Sequence, residues 1–311
     1  MNNFFCKNSN NNSVLPFILM VVVVVFSGCE KTLKLNYKDI EIRQVVNCNF
    51  SPDAYLKVNI SKSKRPDDIS PIYFLQDCKV DVFEDGIFKE TMPFILKDTL
   101  SGLGYYTSTF KLSANKTYKI ISSHDDLATI EATEYLPPRA EIVNFALLQH
   151  ADSLHPSLQG QYIIAFQDSI VQQNYYYLST YYKVLKPTVN DVGDTIYKIE
   201  NIYVPSYTAD IPNFNNNTRL YTSDTKFDGQ LKTLSVSFPS GYIYTYKEIK
   251  LVVELSNLGK NYYQWNTQNI KLGTDYLNQG QMERNNSSNN IKNGFGHFSA
   301  FSSSVVTVRI K

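Results

Sequence analysis

Between residues 41 and 135 the chain alternates apolar and polar positions in short runs separated by turn residues. Leu56, Val58 and Ile60 interleave with Lys57, Asn59 and Ser61, the pattern of a strand with one face buried and one wet. Seven strands are predicted: Glu41–Phe50, Ala54–Lys62, Cys78–Glu84, Ile87–Ile95, Tyr105–Leu112, Thr117–Ser122 and Ala128–Tyr135. Glu84-Asp85-Gly86 reads as a hairpin turn between two of them. Seven short strands within about 100 residues predict an immunoglobulin-like sandwich. Pro137-Pro138 cannot continue a ladder, so the boundary between this domain (residues 40–137) and a second one (138–311) falls there.

The second region is also predicted to be mostly strand: Glu141–Leu148, Gln161–Gln167, Tyr175–Val184, Thr195–Val204, Gln230–Phe238, Tyr246–Leu255 and Ser303–Ile310. One helix is expected over 258–270, with Leu258, Tyr262 and Trp265 on one face and Ser256 as its N-cap. Two polar loops, 205–229 and 273–296, exceed the usual connection length. The fold class is therefore all-β, with an immunoglobulin-like sandwich followed by a second, sandwich-like β-rich domain carrying one short helix.

The N-terminus has a different pattern. Residues 1–12 are polar with a single charge, Lys7, and residues 14–26 are apolar apart from Pro16. That span is shorter than the roughly 20 residues a membrane-crossing helix needs, and it matches a signal-peptide core. It ends in Phe26-Ser27-Gly28-Cys29, where small residues precede a cysteine suited to lipidation. Residues 1–28 are read as a lipoprotein signal peptide, Cys29 as the lipidated residue and 29–39 as a tether. Several acyl chains on one cysteine exceed the single-chain limit for stable membrane anchoring.

Removing residues 1–28 takes away one base and no acid, leaving 29 of each sign and no net charge. A neutral body argues against a nucleic-acid partner, which requires a basic face. Of the four cysteines, Cys6 leaves with the signal and Cys29 is acylated. Cys48 and Cys78 both fall on inward positions of predicted strands, so they are either a disulfide or two buried thiols.

Several short motifs resemble the "domain of unknown function 4249" lipoproteins of Bacteroidota. They begin with Cys29, Val45-Val46-Asn47, Ser51-Pro52-Asp53 and Leu56-Lys57-Val58-Asn59-Ile60-Ser61, followed by Val80-Asp81-Val82-Phe83-Glu84-Asp85-Gly86. Tyr118-Lys119-Ile120, Leu136-Pro137, Phe227-Asp228-Gly229, Tyr262-Tyr263-Gln264-Trp265 and the segment from Asn290 to Phe298 continue the likeness. Cys48 and the Asn/Ser-rich loop depart from the family pattern. The resemblance implies an outer-membrane lipoprotein, often encoded beside TonB-dependent receptors, and carries no catalytic residues over. Which face of the outer membrane it occupies is left open.

Candidate chemistry is sparse. The histidines His124, His150, His155 and His297 form no metal-ligand motif, and there is no nucleophile elbow, phosphate loop or calcium loop. No catalytic residue, metal or cofactor is assigned. The tyrosines stand out instead. Tyr175, Tyr177 and Tyr181 fall on one face of a strand whose other face is expected to be core, and Tyr242, Tyr244 and Tyr246 share a face as well. Cross-strand packing explains such residues, and so does a recognition surface, because tyrosine buries large area at low entropic cost. Asp98-Thr99-Leu100, Asp152-Ser153-Leu154, Asp168-Ser169-Ile170 and Asp194-Thr195-Ile196 resemble O-glycosylation acceptors of Bacteroidota. The functional expectation is a non-catalytic binding or accessory lipoprotein acting with a TonB-dependent outer-membrane transporter. The alternative is a fimbrillin-like structural or adhesive subunit, with an envelope hydrolase as the residual reading.

Overall fold

The computed structural model describes residues 41–65, 67–98, 102–150, 159–170, 172–210, 218–240, 246, 248–267 and 289–310. Cys29, the signal segment and the tether lie outside them, as do Tyr242, Tyr244, His155 and the motifs at Thr99 and Ser153. No helix among the described residues is long and apolar enough to cross a membrane.

The all-β expectation holds. The first half contains β1 (Gln44–Phe50), β2 (Tyr55–Lys62), β3 (Lys79–Glu84), β4 (Ile87–Thr91), β5 (Phe94–Asp98), β6 (Leu103–Lys111), β7 (Lys116–His124) and β8 (Leu127–Leu136). The second contains β9 (Glu141–Gln149), β10 (Gln159–Gln167), β11 (Tyr175–Val189), β12 (Thr195–Val204), β13 (Arg219–Ser223), β14 (Leu231–Pro239), β15 (Ile249–Leu258), β16 (Ile291–Lys292) and β17 (Phe295–Arg309). Among the described residues one helix, α1, covers 260–267.

Local chemistry explains several junctions. Asp85 and Gly86 both have positive φ (49° and 81°), the two-residue turn whose twist suits a hairpin, and it joins β3 to β4. The strand expected over Ile87–Ile95 is two strands in two different sheets, because Pro93 has no N–H to give a ladder. The break is well used: Met92 N–H donates to the Val80 carbonyl at 2.8 Å while Thr107 N–H donates to Pro93 at 3.1 Å.

Among the described residues, three sheets enclose two large cores. A nine-stranded sheet runs β12-β11-β15-β17-β1-β2-β6-β5, with β13 also pairing β11. A five-stranded sheet (β16-β8-β7-β3-β4) packs on its β1-β2-β6 portion, burying Val46, Leu56, Val58, Val80, Val82, Tyr118, Ile120 and Phe298. A three-stranded sheet (β14-β10-β9) packs on its β11-β15 portion, burying Tyr162, Phe166, Tyr176, Leu178, Tyr182, Val236, Phe238 and Val253.

Strand β17 belongs to both cores. Phe295–Ala300 pair in parallel with β1, and Phe301–Arg309 pair antiparallel with β15. This differs from a division at Pro137-Pro138, because Ile291, Phe298 and Ala300 complete the first core from the far end of the chain. Residues 41–311 accordingly form one compact unit. Gly296 makes the close approach possible. Its φ is +105°, and a Cβ there would lie 1.9 Å from the Val46 carbonyl oxygen.

Cys48 and Cys78 are free, buried thiols. They sit in one core but belong to opposing sheets, on β1 and just before β3. Burial pushes the Cys48 thiol far above its ordinary range. Cys78 Sγ lies 3.8 Å from Gln44 Oε1, which also accepts a 2.7 Å bond from Ser122 Oγ. The Gln44 amide donates in turn to the Ala128 carbonyl at 2.8 Å, so this buried polar group is satisfied on both sides.

Candidate functional site

Strand β11 is the centre of the second half, and the two-residue period splits its side chains. Tyr176, Leu178, Tyr182 and Val184 enter the core, while Tyr175, Tyr177, Ser179 and Tyr181 face the other way. The expected row of tyrosines on one face is therefore present. Tyr246, the described member of the second group, lies half-buried against the core.

The outer face is partly covered, which a strand-by-strand reading could not show. Helix α1 brings Tyr262 and Tyr263 over it, and β13 adds Tyr221 beside Tyr177 in register. Tyr177 is consequently 4 % exposed and is not a free recognition ring. The rings of Tyr175 and Tyr263 stack at 4.7 Å, and Tyr177 meets Tyr221 edge-on at 6.0 Å. Tyr181 stands outside this cover, half-buried against Tyr203 at 5.0 Å.

Polar groups lie between the rings. The Arg219 guanidinium sits 5.1 Å from the Tyr177 ring centroid, a cation–π contact, and hydrogen-bonds Tyr221. Desolvation raises the phenols of Tyr177, Tyr221 and Tyr262 above their usual values, so the cluster holds neutral tyrosines around a fixed cation. Glu254 Oε1 accepts bonds from Ser303 Oγ (2.7 Å), Tyr177 Oη (3.2 Å) and Ser256 Oγ (3.4 Å). Ser256 is thus a β15 residue in this network and not the predicted helix cap.

The start of α1 rests on Glu134 of β8. This carboxyl is buried, accepts from Asn261, and has one oxygen without a hydrogen-bond partner among the described residues. Burial pushes it up to about 7. Gly259 permits the contact, since a Cβ there would come within 2.7 Å of Glu134 Oε1.

At the edge of the tyrosine cluster opens a pocket of about 200 Å³, lined by Tyr221, Tyr263, Lys226, Lys232, Thr222 and Asp210. It was not legible in the sequence, because β13 and the short 3₁₀ turn Asp224–Lys226 lie within what reads as a polar loop. Beside it, Asp168, Asp224 and Asp228 place carboxylate oxygens within 4.8 Å of one another. Protein donors account for the two buried members: Gly229 N–H and Tyr176 Oη bond Asp168, and Asn174 N–H bonds Asp224 at 2.6 Å. The trio ties the loop after β10 to the loop before β14. Burial, followed by the neighbouring acids, raises Asp224.

A wider groove of about 660 Å³ lies along the connection from β2 to β3, bordered by Lys64, Asp68, Tyr73 and His124. His124 pairs there with Asp77 at 3.4 Å. His297 is stacked on Trp265 at 4.7 Å, and burial lowers its ionisation.

No protein-family model and no curated protein sequence matches the chain. Among solved structures, a protein described as "Biofilm associated protein - B domain" aligns over 88 % of this chain and 87 % of that chain, at 7 % identity and a TM-score of 0.18. A TM-score that low carries no argument about fold or function.

Proposed function

We propose that the chain is a non-catalytic binding or accessory lipoprotein of the cell envelope, held by Cys29 and acting beside a TonB-dependent outer-membrane transporter. The observation that carries the binding assignment is the pocket at the edge of the tyrosine cluster. Tyr221 and Tyr263 offer ring surface, and Lys226 and Lys232 offer counter-charge. Such a site suits a ligand or partner segment with a flat apolar face and an anionic group. The residues behind it are preorganised by Arg219, Glu254 and α1, which lowers the entropic cost of binding.

The test is affinity capture of the tagged, lipidated chain from gently solubilised membranes, followed by mass spectrometry. A stoichiometric outer-membrane barrel, lost in a Lys226→Glu/Lys232→Glu variant that still folds, supports both parts of the reading. Recovery of the chain alone removes the transporter role.

A second reading, a structural or adhesive subunit, is favoured by one observation: β5 and β12 are the end strands of the nine-stranded sheet among the described residues, and end strands are where strand addition occurs. Filaments of the purified chain in electron micrographs are its expected signature.

A further inference from the structure

The connection from β2 to β3, residues 63–78, is closed at its base and tied within. Lys62 N–H donates to the Tyr73 carbonyl at 3.0 Å, and Leu75 N–H donates to the Ile60 carbonyl at 2.9 Å. Inside the loop, Ser70 N–H donates to Asp68 Oδ1 at 2.9 Å. Lys64 Nζ bonds the Ser70 carbonyl and pairs with Asp68 at 3.8 Å. Compact surface loops with joined ends are frequently functional.

This shape turns apolar side chains outward. Ile69 is 99 % exposed, Tyr73 70 % and Ile72 61 %, and Pro71 between them is exposed as well. Single apolar residues on a surface are ordinary, but four within five positions make a patch, and patches mark contact sites.

The position of the loop in the body identifies what it meets. Ser63 N–H donates to the Arg43 carbonyl at 2.8 Å, and Arg43 N–H donates to Ser63 Oγ at 2.9 Å. The loop is thus bonded to the first residues of the body, and Ile42 borders the same groove as Lys64 and Tyr73. Glu41 follows Cys29 by twelve positions. An extended stretch of that length spans at most about 40–43 Å, so a lipid anchor at Cys29 keeps this corner within reach of the bilayer. Tethering makes a weak interfacial contact intramolecular, so a few side chains suffice. Isoleucine suits the acyl boundary, and tyrosine suits the headgroup level, where its ring is dry and its hydroxyl wet. Charge does not select the lipid, because Lys64 and Arg65 are followed at once by Asp67 and Asp68.

We propose that the loop carrying Ile69, Ile72 and Tyr73 docks on the membrane that holds the chain, setting these side chains at the boundary between headgroups and acyl chains. The docking rests on the lipid-anchored reading given under the proposed function, and it fixes which corner of the body lies against the bilayer.

The experiment uses the full-length purified chain in phosphatidylcholine vesicles with brominated acyl chains, which quench tryptophan only inside the bilayer. The natural chain has a single tryptophan, Trp265, and serves as the background. Ile69→Trp is expected to add emission that bromine quenches. Val192→Trp, at a position 83 % exposed in the turn of the β11–β12 hairpin, is expected to add emission that bromine leaves unchanged. Ile72→Asp/Tyr73→Asp in the Ile69→Trp background loses the quenching while circular dichroism keeps its strand signal. An unquenched Ile69→Trp, equal quenching at Val192→Trp, or quenching that requires an anionic lipid overturns the proposal. A blue shift of Ile69→Trp that grows with protein concentration in the absence of vesicles also overturns it, and assigns the patch to a second copy of the chain. Mass spectrometry of the same chain reads the anchor separately. A Cys29 without acyl groups removes the lipoprotein reading, and titration of that chain with the same vesicles then decides docking alone: quenching supports it and its absence overturns it.

Discussion

The two ends of β11 make an internal comparison, because one strand meets two different environments. From Tyr175 to Val184 it is flanked on both sides and faced by the three-stranded sheet and by α1. At Leu185 the N–H still donates to the Glu248 carbonyl at 3.2 Å, and from Lys186 to Val189 the ladder partner among the described residues is β12. The buried end carries five tyrosines in ten residues and the projecting end Leu185, Pro187 and Val189 in five, so side-chain hydrophobicity does not decide which end is covered. Neighbouring strands decide it. The consequence for energetics is that the first end carries stability and the second carries surface.

Four substitutions probe that division, beginning with the largest effect. Tyr182→Ala empties a fully buried core position where the ring meets Phe238 at 6.2 Å, and is expected to cost about 3–5 kcal/mol in chemical denaturation. A loss under about 1 kcal/mol contradicts the division.

Glu134→Gln tests the anchor of the helix that covers the first end. Because burial lifts this carboxyl from its ordinary value to about 7, its neutral form is the one the fold prefers. The native state is therefore most favoured below pH 4.5, loses that advantage as pH rises towards 7, and is flat above. The glutamine variant is expected to gain about 3 kcal/mol at pH 8 relative to pH 4, read as a flattened stability–pH curve. An unchanged slope between those pH values rejects the assignment.

Arg219→Met keeps the hydrophobic stem over Tyr177 and removes the guanidinium, and a loss of about 1 kcal/mol is expected from the cation–π contact and hydrogen bond. Thermal denaturation alongside Lys232→Met, a cation that lines the pocket, tells whether the cost belongs to the buried cluster. Ile199→Ser, at a position 66 % exposed on the projecting end, is expected to change stability by less than about 0.5 kcal/mol in chemical denaturation. If it unfolds the chain, the hairpin is part of the core after all.

Much of the strand content was legible because alternation is a local signal: Leu56, Val58 and Ile60 are each buried as the pattern requires. The row Tyr175, Tyr177 and Tyr181 was legible for the same reason. What sequence could not supply was neighbourhood. That Tyr177 is covered depends on Tyr221 and Tyr262, which lie 44 and 85 positions away in the chain. Pro93 is a local signal as well, since proline brings no N–H to a ladder hydrogen bond. The reach of β17 into the first core left a trace in Gly294 and Gly296, whose missing side chains make room for Gln44 and Val46. A glycine reports that something comes close, and it does not name what.

The shared strand also sets an order of events in time. Val45 pairs with Phe295, so the first strand of the body meets its parallel neighbour only after almost the whole chain has been made. Contacts of such separation are late and slow to form. While synthesis proceeds, residues 44–136 have β2 to β8 to associate with, but the edge beside β1 stays open and Phe298 is missing from the core. The N-terminal half therefore waits, incomplete and sticky, for the last residues of its own chain. Any cell making this protein must keep that edge from meeting another before the C-terminus arrives.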